Sequence, residues 1–280
     1  MSARATQPVK SARPVWKVSQ LHVLKSEWIK LSSVRATMWT YLATVGALVG
    51  LGVVTCLVTL TEYKDGLLPP EPPLDPTGSS LTGVFMAQVA IAVLGVLCIT
   101  GEYASGMVRA TFAAVPKRLP VVIAKAIVLP LATFVIMLVS SFAAFFLGQL
   151  AFKTVGLNAT LSDPGALRAV VGCALYLSVM ALAGLGLGLI IRSTAGTIAV
   201  LVVILFVIPI IASFLPANIQ NVIVKWLPGT AVESIAQTAQ QPNLLGPWQG
   251  FAVFCGYTLL ALVIGAILVK KRDASPMIGG

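Results

Sequence analysis

The 280-residue chain is 58% hydrophobic and only 10% charged, with a mean hydropathy of +0.95, which excludes an ordinary soluble domain, where charged residues make up about 25%. A formal net charge of +10 on a soluble surface would suggest nucleic acid, but here the basic residues flank apolar segments and follow membrane topology, so no nucleic-acid partner is expected. Cys56, Cys98, Cys173 and Cys255 all fall within apolar segments without paired spacing. They read as small core hydrophobes and carry no redox information.

Residues 1–19 are polar, basic and proline-containing, and are expected to form a disordered leader. An amphipathic helix is predicted over 20–36: Leu21, Leu24, Trp28 and Leu31 fall within about 80° of one another on a helical wheel, with His22, Ser26, Lys30 and Ser33 on the other side. It is expected to lie on the inner leaflet, with Trp28 at the headgroups and its lysines toward anionic membrane lipid. The basic stretch is too long, and the apolar run that follows too extended, for a cleavable signal, so the first span is expected to remain in the mature protein.

Six segments reach the roughly 20 apolar residues a helix needs to cross a bilayer. They lie at 38–60, 81–100, 121–151, 167–191, 195–215 and 251–269. The third is long enough to tilt or to extend beyond the bilayer. Spanning strands would alternate apolar and polar residues over about 10 positions, which these segments do not. The fold class is therefore all-α: one six-span membrane domain over 38–269 and a short tail at 270–280.

All the lysines and arginines except Lys64, Lys153, Arg168 and Lys225 fall on the side of the chain termini. That asymmetry predicts both termini in the cytoplasm, as an even number of spans also requires; a multi-pass location in the plasma membrane is expected. On the opposite side, the proline-dense stretch around Pro69, Pro70, Pro72 and Pro73 reads as an extended, solvated spacer. Asn158-Ala159-Thr160 matches a glycosylation sequon, too short a motif to weigh by itself. Residues 213–249 are long yet apolar, and predict interfacial or re-entrant helices before the last span. Thr230 with Glu233 three residues on reads there as a capping box.

Several chemistries are missing. No Gly-Lys dipeptide occurs, so a phosphate-cradling Walker A loop is excluded. The only histidine, His22, lies outside the spans, which leaves neither a His-containing metal site nor a Ser/His pair for catalysis. No catalytic residue and no metal ligand is assigned, and the chain is not expected to be an enzyme. The span cores contain no acidic or basic residue, which argues against proton coupling. Lys125 and Arg168, near span ends, are expected to snorkel to the surface. Gln88 and Gln149 are the larger polar side chains within spans; they read mainly as helix-to-helix hydrogen bonders and secondarily as lining a substrate path. Gly46-xxx-Gly50 and the run Gly184, Gly186, Gly188 permit close helix approach.

A polar island interrupts this apolar chain at Gly101-Glu102-Tyr103-Ala104-Ser105-Gly106-Met107-Val108-Arg109, continuing to Pro116-Lys117-Arg118. That island, and the stretch Ser26-Glu27-Trp28-Ile29-Lys30-Leu31-Ser32-Ser33-Val34-Arg35 before the first span, resemble the corresponding segments of ABC-2 type permeases, the membrane subunits of bacterial and especially actinobacterial ATP-binding-cassette exporters. Order, spacing and span number extend the resemblance over most of the chain.

The resemblance implies export of an amphipathic or hydrophobic compound by a pair of permease subunits, identical or not, with two copies of a separate ATPase subunit. ATP and magnesium belong to that partner, and no cofactor is expected in this chain. It implies a connecting helix containing Glu27, Trp28, Lys30, Leu31 and Arg35. It further implies a coupling helix docking on the ATPase through Gly101, Glu102, Tyr103, Ser105, Gly106 and Arg109, and a second coupling turn at Arg192, Ser193 and Thr194. Met107 departs from the smaller or polar residue expected there. A peptide-antibiotic (lantibiotic) immunity pump on the same scaffold, or a non-transporting scaffold or sensor subunit, are the alternatives.

Overall fold

The computed structural model describes residues 19–67, 74–115, 118–238 and 244–271. The expected leader at 1–18, most of the proline-dense spacer, Pro116, Lys117 and most of the tail lie outside the described residues. Every regular element among the described residues is helical. Six helical segments are long and apolar enough to cross a membrane, which makes this a multi-pass membrane protein.

Helix α1 (Gln20–Ser33) is separated from α2 (Arg35–Lys64) by a single extended residue, Val34. A short α3 (Pro76–Leu81) leads into α4 (Val84–Ala104) and then α5 (Met107–Ala114). Asp75 caps α3, its carboxylate accepting from the Gly78 amide at 2.9 Å and, from across the bundle, the Thr238 amide at 2.7 Å. Helix α6 (Leu119–Phe152) carries Pro130 in its interior, and α7 (Ala166–Ile191) follows.

The fifth span is interrupted: α8 (Thr194–Val202) passes through a π-helical turn at Val203–Val207 into α9 (Ile208–Ser213). Pro209, just inside α9, has no N–H to give to the carbonyl four residues back, and the ladder is re-registered immediately before it. Short helices α10 (Ala217–Val224) and α11 (Pro228–Ala236) precede α12 (Pro247–Lys271). The expected capping box is not formed. α11 starts earlier, at Pro228, whose fixed φ suits the first helical turn, and the Thr230 hydroxyl donates instead to the carbonyls of Val224 and Leu227.

Helix α7 is the axis of the bundle. In its most apolar stretch 67% of residues are buried, against 22% for α2, for the fifth span and for α12, which leaves those three largely facing outward. It packs on α4, α6 and α12 at once, and glycines let it do so. A Cβ at Gly184 would strike the Ala92 carbonyl of α4, one at Gly95 the Ala181 carbonyl of α7, and one at Gly188 the Ile99 side chain. Gly186 faces the other way, toward Ala261 of α12. By contrast, Gly46 and Gly50 have nothing of this chain within 4 Å of a built Cβ.

Polar side chains tie the same helices together. Tyr176, fully buried in α7, donates to Gln88 of α4 at 2.6 Å and packs its ring 5.0 Å from that of Phe254 in α12. Gln149 donates to the Pro76 carbonyl at 3.0 Å and the Ser80 hydroxyl at 2.8 Å, and accepts from the Ala159 amide at 2.8 Å. Both glutamines are buried and bridge segments of the chain, with every polar end occupied for Gln149.

The last helix is closed off at its C-terminal end by two arginines. Arg118 and Arg192 both sit in the left-handed region, with φ of 52° and 60°, where a non-glycine residue is uncommon. From there Arg118 donates to the Val269 carbonyl at 3.0 Å and Arg192 to the Leu268 carbonyl at 3.4 Å, in the last turn of α12, where helical carbonyls have no partner of their own.

Replacing Gly95 or Gly184 with leucine should force α4 from α7 and lower stability by about 1–3 kcal/mol or more. Gly46→Leu should stay within ~0.5 kcal/mol. Thermal unfolding of the three variants in one mild detergent compares them directly.

Candidate functional site

At the end of the bundle where α1, the start of α6 and the ends of α4, α7 and α12 meet, four charged side chains form a closed ring. α1 supplies Glu27 and Lys30, three residues apart and therefore on neighbouring positions of one face. The last turn of α4 supplies Glu102, and Lys125 projects from the second turn of α6. Lys30 Nζ lies 2.7 Å from Glu27 Oε1 and 3.0 Å from Glu102 Oε1. Lys125 Nζ lies 2.6 Å from Glu27 Oε2 and 2.8 Å from Glu102 Oε1. Charges alternate around the ring, and each side chain touches two of opposite sign.

Burial sets this ring apart from a surface ion pair. The side chains of Glu27 and Lys125 are 3% exposed and that of Glu102 8%, whereas Lys30 retains 29%. Removing such charges from water costs several kcal/mol each, so they persist only when every one is answered at hydrogen-bonding distance. Lys125 does not snorkel. It sits too deep against α1 and α4, and two carboxylates hold it there.

The ring also redefines α1. The buried positions are Val23, Glu27 and Leu31, one line at spacing of four, which is rotated from the expected apolar stripe toward its polar flank. Leu31 and the partly buried Leu24 pack inward, while Leu21 and Trp28 remain exposed and face away. A helix that places a carboxylate at the centre of its packed face is fixed by charge as much as by apolar area.

Beyond Glu102 the chain turns outward. The Ser105 hydroxyl donates to the Gly101 carbonyl at 2.8 Å, and Gly106, at φ 70°, reverses the backbone into α5. Ser105, Gly106 and Met107 are exposed, whereas Val108 is buried and seats α5 on the bundle. The side chain of Arg109 lies outside the described residues. The turn between α7 and α8 lies alongside. The Arg192 guanidinium is 5.1 Å from the centre of the Tyr103 ring, and Thr194 bonds to Thr100 at 2.9 Å. Ser193 caps α8, accepting from the Gly196 amide at 3.3 Å. Arg35 opens α2 and is exposed.

A cleft of about 400 Å³ opens beside the ring. All four charged residues line it, with Val34 and Thr37 near the start of α2, Leu94 and Leu97 of α4, and Met107. A second cleft, of about 280 Å³, lies at the opposite end between α6 and the segment around Asn158, and Gln149 is among its lining residues. Among the described residues no group of three His, Cys, Asp or Glu side chains is assembled that would hold a metal.

The structure thus brings together residues that the sequence assigned to separate features: Glu27 and Lys30 to one helix, Glu102 to a docking segment, Lys125 to a membrane edge. The Glu102 carboxylate is buried in the ring rather than displayed on the exposed turn. Lys125 was missed as a functional residue. Its signal was present: Glu27, Glu102 and Asp273 are the only acidic residues on the basic side of the chain, and two of them need a partner inside the membrane domain. No protein-family model matches the chain, and no curated protein does. Function has to be read from the site itself.

Lys125→Met should leave two buried carboxylates sharing Lys30 and cost about 3–5 kcal/mol. Adding Glu102→Gln restores charge balance and should recover part of that loss. Unfolding of both single variants and the double variant gives the coupling directly.

Proposed function

We propose that this chain is the transmembrane permease subunit of an ATP-binding-cassette exporter of the ABC-2 type, working in the plasma membrane with its basic end in the cytoplasm. It pairs with a second permease subunit and receives two copies of a separate ATPase, which bind and hydrolyse ATP with magnesium. The cargo is an amphipathic or hydrophobic compound. One observation carries this reading: the exposed turn after α4 and the turn after α7 lie side by side at the basic end, joined through Thr100–Thr194 and Tyr103–Arg192. Each turn is continuous with one of the two helices that cross at Gly95 and Gly184.

A partner that docks on both turns acts on the ends of the two most closely packed helices of the bundle. Such a bundle answers by shifting as a body, because interiors at this packing density do not deform continuously. The size of the shift in population cannot exceed the difference in contact energy between the partner's two states. Within this arrangement the docking contacts belong to Ser105, Gly106 and Met107, while Glu102 acts behind them, holding α4 to α1 and α6. Changing Glu102 to lysine would place three ammonium groups about the Glu27 carboxylate and disturb the ring itself, so docking is tested at the exposed positions.

The tagged full chain, purified in mild detergent from cells that also express its ATPase, should carry a nucleotide-binding subunit in stoichiometric amount. Ser105→Trp and Met107→Glu should reduce that yield about tenfold, ~1.4 kcal/mol, without changing thermal unfolding. A chain that purifies alone under several gentle conditions, or full export by both variants, would overturn the assignment.

A further inference from the structure

The geometry points to a binding site for a zwitterionic phospholipid of the ethanolamine type in the cleft beside the charged ring, with the phosphate held by Lys30 and the protonated amine by Glu102. The inference stands on the cleft alone and does not depend on the exporter reading. Three properties select this ligand.

The first is charge. The ring is neutral as a unit, two carboxylates against two ammoniums, and among the described residues nothing else lining the cleft carries a formal charge. A headgroup with net charge would therefore enter without a balancing partner, whereas one carrying both signs meets both. The second is the state of the ring's atoms. Both bonds that Glu102 accepts fall on Oε1, so its Oε2 takes none among the described residues. Lys30 spends two of its three donors, on Glu27 and Glu102, and is the one member of the ring with appreciable exposure. An acceptor suited to an N–H cation and a donor suited to a phosphate oxygen thus lie within one ion-pair distance of each other.

The third is the surround. The lining is mostly apolar, with Leu31, Leu94, Leu97 and Val34, and Ser33, Thr37 and Thr40 are its neutral polar members. Trp28 and Trp39, 53% and 69% exposed, stand on α1 and α2, two of the helices that line the cleft, as indoles do at the level of lipid headgroups. A cleft of about 400 Å³ is within the usual size of small-ligand sites. It takes a headgroup and the first carbons of the chains, leaving the tails along the outward faces of α2 and α4.

The test is a titration of the detergent-purified full chain with phosphatidylethanolamine, phosphatidylcholine and phosphatidylglycerol of identical acyl chains, read by native mass spectrometry. The ethanolamine lipid should be retained at least tenfold better than the anionic glycerol lipid, and about fivefold better than the choline lipid, whose methylated amine has no N–H for Glu102. Leu97→Trp, which fills the cleft and leaves the four charged residues in place, should lower ethanolamine-lipid retention about tenfold. Ala36→Trp, on the opposite wall, gives the same reading should the first variant fold poorly. Equal retention of the three lipids, or retention untouched by either tryptophan, would overturn the site. So would variants that change only self-association, because the cleft would then belong to a second copy of the chain.

Discussion

A charge inside an apolar bundle either finds an opposite charge or gives up its proton balance, and four of them within a few ångströms admit few stable arrangements. The alternating ring of Glu27, Lys30, Glu102 and Lys125 is one. Its demands reach well beyond the four residues. α1 turns a carboxylate inward and sends two large apolar side chains outward. Val34 breaks the helix so that α1 can lie against α6 while α2 continues through the bundle. α4 has to end close to the second turn of α6.

Two kinds of contact then organise the molecule, and α4 takes part in both. Charge ties its end to α1 and α6. Small residues let its middle approach α7 until backbone meets side-chain position at Gly95 and Gly184, while α7 uses its opposite side, at Gly186, for α12. The fifth span is held more loosely and contains the one π-helical turn among the described residues. Helix α4 is thus gripped at its end and at its centre, while α2, the fifth span and α12 are the least buried.

Much of the architecture was legible because it depends on length and composition. The six spans and the helix before the first of them lie close to where apolar runs and polar breaks place them. What could not be read is register in three dimensions. The wheel of α1 set Leu21 and Trp28 toward the membrane, and both are exposed; what apolar periodicity could not show is the packed line of Val23, Glu27 and Leu31, because it does not look for a buried carboxylate. Lys125 looked like an edge residue because its distance from the end of the apolar run is short. Only the fold shows α1 lying over it and closing off the water. In the same way Thr230 and Glu233 match a capping box in spacing, but the proline two residues earlier already starts the helix and leaves the threonine a different task.

The two arginines at the end of α12 bear on how the chain is made. Their acceptors, the carbonyls of residues 268 and 269, belong to the sixth span, which is synthesised after Arg118 and Arg192. These two contacts therefore form only once the sixth span is in place. Arrival of that span supplies both acceptors in a single turn. The basic end is in this sense finished only when the sixth span has packed.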